Sequence, residues 1–152
     1  MVYRFILFLV LNFGFIGLSR YLGGAGPKSD WYLGLETAPW SPSGIFVALC
    51  WMVVLVCFSI YLAYLWPLVK NKNLLLALLV LHYILTLVYN PTFFYYHQVL
   101  IGLFIITALT IVIGSFIFFY WPEIKFKSLL VAPYFIWLLI ATSLNAYILL
   151  KN

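Results

Sequence analysis

The chain has 152 residues, of which 67% are hydrophobic, 21% aromatic and only 7% charged, with a mean hydropathy of +1.16. That balance excludes an ordinary soluble domain, in which about half the residues are apolar and about a quarter charged. The net charge of +5 comes from eight basic and three acidic residues scattered between long apolar runs; without a basic patch, the chain does not read as a nucleic-acid binder.

Five apolar segments follow one another at residues 3–22, 44–66, 74–96, 99–121 and 128–150. At about 20 residues per bilayer crossing they use nearly the whole chain. Since a backbone in lipid must satisfy its own hydrogen bonds, they are helices. The expected fold is all-α: a single domain, 1–152, forming a five-helix transmembrane bundle whose structured first loop caps one end.

In the first segment, Arg4 precedes an apolar stretch too long and too poor in small-residue cleavage patterns for a signal peptide, so it reads as a retained helix. Gly14 and Gly17 suit close helix packing. The connection 23–43 is long for such a chain, and its Trp31, Tyr32, Leu35, Pro39, Trp40 and Pro42 are not the composition of a disordered tether. Gly23, Gly24 and Gly26 permit a sharp turn at its start. It reads as a folded cap.

The second segment places Trp51 about 10 Å beyond its start, and Cys50 and Cys57 at i and i+7 read as small hydrophobes. It stops at Trp66-Pro67. In the third segment, His82 is the one ionisable residue at depth, about 12 Å along the axis. Three roles are open to it: a neutral residue bonded within the bundle, a pocket-lining donor, or a metal ligand. His97 stands fifteen residues on, about 22 Å away along a straight helix, too far to share one iron. Pro91 kinks or ends this helix, unless Thr92-Phe93-Phe94 prolongs it past a local break. The fourth segment stops at Trp121-Pro122, and Trp66 and Trp121 read as interfacial belt residues. On the fifth, Trp137, Ala141 and Asn145 at i, i+4 and i+8 share one broad face. The remaining polar groups at depth, Asn12, Thr86, Asn90, Thr107, Thr110, Thr142 and Ser143, suit interhelical hydrogen bonds.

All three acids, Asp30, Glu36 and Glu123, lie in connections, which disfavours an ion-coupled pump. Arg4, Lys70, Lys72, Lys125 and Lys127 fall on the N-terminal side and Arg20, Lys28 and Lys151 on the other. This bias puts the N-terminus in the cytoplasm. Aromatic faces beneath a cap, with few polar groups, suit either a large, flat, mostly apolar ligand or the plain filling of a tight bundle by rings.

The stretch Ala132-Pro133-Tyr134-Phe135-Ile136-Trp137, followed by Ala141-Thr142-Ser143-Leu144-Asn145 and Asn152, resembles the last-helix signature of the tryptophan-rich sensory protein family, also called the translocator protein or peripheral benzodiazepine receptor family. Trp31-Tyr32, Leu35, Trp40, Pro42, Phe46 and Trp51 are similar to its first loop and second helix, and Pro91 with Phe93-Phe94 to the end of its third helix. The chain departs from the pattern at Thr37, Ala38, Ser43 and Leu55, and most in the third helix, where His82, Thr86 and Tyr89 replace the usual Gln, Asn and Trp.

The resemblance implies a five-helix bundle, often a homodimer, with a cavity under the first loop for porphyrins and synthetic aromatic ligands. Its pocket would draw on Trp31, Trp40, Phe46, Trp51, Trp137, Ala141 and Asn145, to which His82 adds a donor. No cofactor is required; the expected ligand is a porphyrin such as protoporphyrin IX or haem, and the other partner is membrane lipid. The sterol motif of animal members is matched formally by Leu144, Tyr147 and Lys151. The implied function is tetrapyrrole binding for transport or stress sensing in a bacterial cell membrane. The alternatives are light- or oxygen-dependent porphyrin breakdown and a lipid-binding scaffold.

Overall fold

The structure, a computed structural model, describes residues 1–152. It is helical throughout, with no strand. Helix α1 spans Val2–Leu22, the short α2 Asp30–Leu33, α3 Gly44–Leu65, α4 Lys72–Asn90, α5 Val99–Ile124 and α6 Ala132–Lys151. Four stretches are long and apolar enough to cross a membrane: Val2–Lys28, Gly44–Leu65, Lys72–Tyr95 and Val99–Lys151, the last holding both α5 and α6.

Side-chain caps start α2, α3 and α4, and proline geometry shapes the end of α4. The Asn71 side chain accepts from the Leu74 N–H at 3.1 Å, which begins α4 two residues before the apolar run at 74. Pro91 neither stops nor sharply breaks the chain. Without an N–H it cannot make the regular bond, and Pro91–Tyr95 widens into a π turn closed by the Tyr96 N–H on the Pro91 carbonyl at 2.9 Å.

Two expected boundaries move. Helix α5 runs through Pro122 to Ile124 rather than stopping at residue 121. A proline so near the C-terminus removes one bond, and the helix ends where Lys125 turns to φ 49°. The last helix begins at Ala132, not at 128. Residues Lys125–Val131 form 3-10 turns, and Pro133 sits in the first turn of α6, where its missing N–H leaves nothing unpaired.

The five long helices close into a ring in the order α1, α3, α6, α5, α4 and back to α1. Its interior holds Phe58, Tyr61, Leu75, Ile113, Phe116, Tyr134 and Leu138, all fully buried. Asn12 on α1 donates to Ser59 on α3 at 2.8 Å and accepts from the Tyr83 hydroxyl on α4 at 3.0 Å, tying three helices together. Asn90 donates to Ser19 at 2.9 Å, and Thr110 meets Thr142 at 3.3 Å between α5 and α6. These bonds match the packing role expected of Asn12, Asn90, Thr110 and Thr142, whereas Thr107 bonds within its own helix to the Leu103 carbonyl. Gly14 and Gly17 do not match the close packing expected of them: a side-chain carbon at either would meet nothing within 4 Å, so both face open space on α1. The close approach is instead at Gly102, where an added Cβ would lie 2.8 Å from Phe93 of the π turn.

Outward positions such as Ile45, Phe104, Ile111 and Phe118 are exposed and apolar. Such a surface is compatible with hydrocarbon and not with water.

Candidate functional site

Within the ring, α4 and α6 face one another with their backbones too far apart for close helix packing, and long side chains bridge the gap. From α4 come His82, Thr86 and Tyr89, at i, i+4 and i+7 on one face. From α6 come Tyr134, Trp137, Ala141 and Asn145. Asn145 Nδ2 donates to the Tyr89 hydroxyl at 2.8 Å and to the Ala141 carbonyl at 2.9 Å. His82 meets Tyr134 edge to face at 5.8 Å between ring centres, and Phe58 of α3 at 5.1 Å. Trp51 closes the α3 side, edge-on to Tyr134 at 5.9 Å and to Trp137 at 6.3 Å.

This seam is polar in an unusual way. The Thr86 and Tyr134 hydroxyls face each other across it, while His82 Nδ1, Trp137 Nε1 and Asn145 Oδ1 are buried with no hydrogen-bond partner. A buried polar atom left unpaired costs about 1–3 kcal/mol, and native interiors hold few of them. Three along one seam, beside the Thr86–Tyr134 pair, form an array of donors and acceptors. No three His, Cys, Asp or Glu side chains come together.

The expected site residues divide into two groups. Trp51, His82, Trp137, Ala141 and Asn145 belong to the seam. The other three lie apart from it. Trp31 stacks on His97 at 4.2 Å and 15° and meets Phe93 edge-on at 5.7 Å. Trp40 is 55% exposed, donating to Ser143 at 3.2 Å and packing on Tyr147 at 5.4 Å. Phe46 is exposed at the start of α3. Tyr134, Thr86 and Tyr89 are the seam residues that the sequence did not single out as a site. Tyr134 could have been found from its i, i+3 spacing to Trp137.

The first loop is fastened at both sides. Its Trp31 and Tyr32 lie on Phe93 and Phe94 of the π turn. Ser29 caps α2 by accepting from the Tyr32 N–H at 3.2 Å, and burial pushes the Tyr32 phenol above its usual pKa. At the far side, Asn152 accepts from the Glu36 N–H at 2.8 Å and donates to the Glu36 carbonyl at 3.1 Å, while Tyr147 donates to the Glu36 carboxylate at 3.1 Å. The loop therefore runs from the end of α4 to the end of α6, the two helices that border the seam.

The family model described as the TspO/MBR family matches residues 5–150. The chain belongs to the TspO/MBR family. A search of curated proteins found none that matches it. With apolar helices long enough to cross a bilayer, this TspO/MBR member is an integral membrane protein. The α6 stretch on which the resemblance rests, Pro133 to Asn145, supplies the whole α6 side of the seam.

Proposed function

We propose that this TspO/MBR protein binds a flat, largely apolar ligand of the porphyrin class between α4 and α6, with the first loop as its lid. The observation that carries the reading is the row of three unpaired buried polar atoms, on His82, Trp137 and Asn145, flanked by the rings of Trp51, Tyr134 and Trp137. A tetrapyrrole offers aromatic faces for those rings and nitrogen and carboxylate groups for the unpaired atoms. The loop lies between the two helices that must part to admit it, and it holds them through Trp31 and Tyr32 on one side and Asn152 on the other.

In this reading α5 and α6 cross the bilayer separately. Helix α6, with 20 residues, is about 30 Å long, the thickness of the hydrocarbon core. Five crossings put Arg4 and the lysines of both even-numbered turns on the cytoplasmic side. Because His82, Thr86 and Tyr89 form the α4 wall, the departures from the family pattern fall on the ligand-facing surface. Ligand preference within the porphyrin class is where this chain should differ from its relatives.

The test is a protoporphyrin IX titration of detergent-purified protein, followed by Soret absorbance and tryptophan fluorescence, with Trp51→Phe and Trp137→Phe alongside. Saturable micromolar binding that weakens at least threefold in both variants, with unchanged melting, supports the reading. Binding that is absent in folded protein, or indifferent to both substitutions, overturns it.

A further inference from the structure

A second site lies on the outer face of the ring, where α1 and α4 leave an apolar groove of about 220 Å³. We propose that it holds the upper part of one acyl chain of an anionic membrane phospholipid, with the phosphate at Arg4 and the Lys72 charge behind Trp66. Leu7, Leu11, Leu76 and Val80 form its walls and Phe8 and Leu79 its buried floor. Arg4 and Trp66 line the same groove. Both helices start at this end, so the groove runs from Arg4 and Leu76 to Leu11 and Tyr83, a length of about 10 Å at 1.5 Å per residue.

Polarity is confined to one end. The Tyr83 hydroxyl at the deep end is already spent on Asn12 at 3.0 Å. Arg4 lines the mouth, and behind the lining residue Trp66 Lys72 Nζ lies 4.9 Å from the ring centre, buried and without a hydrogen-bond partner. Five cations, Arg4, Lys70, Lys72, Lys125 and Lys127, share this end of the bundle with a single acid, Glu123. An anion is therefore wanted at the mouth and nothing polar below it. That distribution fits a phospholipid, whose charge and chain are joined end to end.

Other occupants fit less well. The volume is below the roughly 300–1,000 Å³ of enclosed small-molecule sites, which disfavours a disc-shaped ligand. A second copy docked symmetrically on this face would set Arg4 and Lys72 against the same cations of its partner.

Native mass spectrometry of protein released from nanodiscs of equimolar phosphatidylglycerol and phosphatidylcholine tests the proposal. The wild type should retain phosphatidylglycerol by about tenfold over phosphatidylcholine. Arg4→Gln with Lys72→Gln should bring the ratio to one, and Val80→Trp, at an exposed groove wall, should reduce retention of both lipids. Protoporphyrin binding should be unchanged in all variants, which separates this site from the seam and verifies folding. Equal retention of the two lipids by the wild type, an undiminished preference in the Gln variant, or a dimer sealed through this face without lipid overturns the proposal.

Discussion

Replacing Asn145 by leucine should separate a binding role of the seam from a packing role. The substitution removes two hydrogen bonds from Nδ2, at 2.8 Å to the Tyr89 hydroxyl and 2.9 Å to the Ala141 carbonyl. Within membrane bundles a side-chain bond of this kind is worth about 0.6 kcal/mol on average. It also removes the unpaired Oδ1, whose burial costs about 1–3 kcal/mol. Against that relief, the Tyr89 hydroxyl is left alone, at a similar cost of about 1–3 kcal/mol. Asn145→Leu should therefore lie within about 1–2 kcal/mol of the wild type, and adding Tyr89→Phe should restore or exceed wild-type stability, since both partners are then apolar. Porphyrin affinity should move oppositely, falling about tenfold in the double variant for the loss of about 1.4 kcal/mol. Stability is measured by denaturant titration in mixed micelles and affinity by Soret absorbance. A double variant less stable than Asn145→Leu, or one that binds porphyrin like the wild type, would refute the reasoning.

Asn12→Leu should destabilise the bundle by about 1–2 kcal/mol, because it strands the Tyr83 hydroxyl and cuts the tie to Ser59, which keeps its bond to the Leu55 carbonyl; mixed-micelle unfolding measures this. Gly102→Ala forces a carbon to 2.8 Å from Phe93, which is 1% exposed, at an expected cost of about 1–3 kcal/mol. Phe93→Leu in the same chain should recover part of the lost melting temperature. Asn152→Ala frees both backbone groups of Glu36, so limited proteolysis should cut the first loop sooner while circular dichroism stays unchanged. Burial raises the Tyr32 phenol, so the folded loop holds its proton above the pH at which the unfolded loop releases it, and loop docking weakens as pH rises past about 10. A difference titration of phenolate absorbance against Tyr32→Phe should show one group titrating above that value.

The helices were legible because a bilayer-length apolar run admits one backbone solution and turn residues mark its ends. Proline positions were harder to read. Pro91 and Pro122 are both helix breakers by composition, yet one widens into a π turn and the other is absorbed in a last turn, depending on how many bonds remain to be lost. The α6 face of Trp137, Ala141 and Asn145 followed from helical spacing alone. Its partner did not, because the ring order that brings α4 opposite α6 is a tertiary fact absent from either helix's periodicity. Trp31 and Trp40 show the same limit: their aromatic character was plain, but the loop's path carries them to His97 and Tyr147. Gly14 and Gly17 were misread because small side chains serve close packing and open surface equally.

The most direct test of the central claim is a structure determined with protoporphyrin IX bound. The account predicts the macrocycle between α4 and α6, against Trp51 and Trp137, with His82 Nδ1 and Asn145 Oδ1 each within hydrogen-bonding reach of the ligand or of a water bridging to it. A macrocycle lodged in the α1–α4 groove or on the outer surface, with the seam closed and its three polar atoms still unpaired, would contradict it.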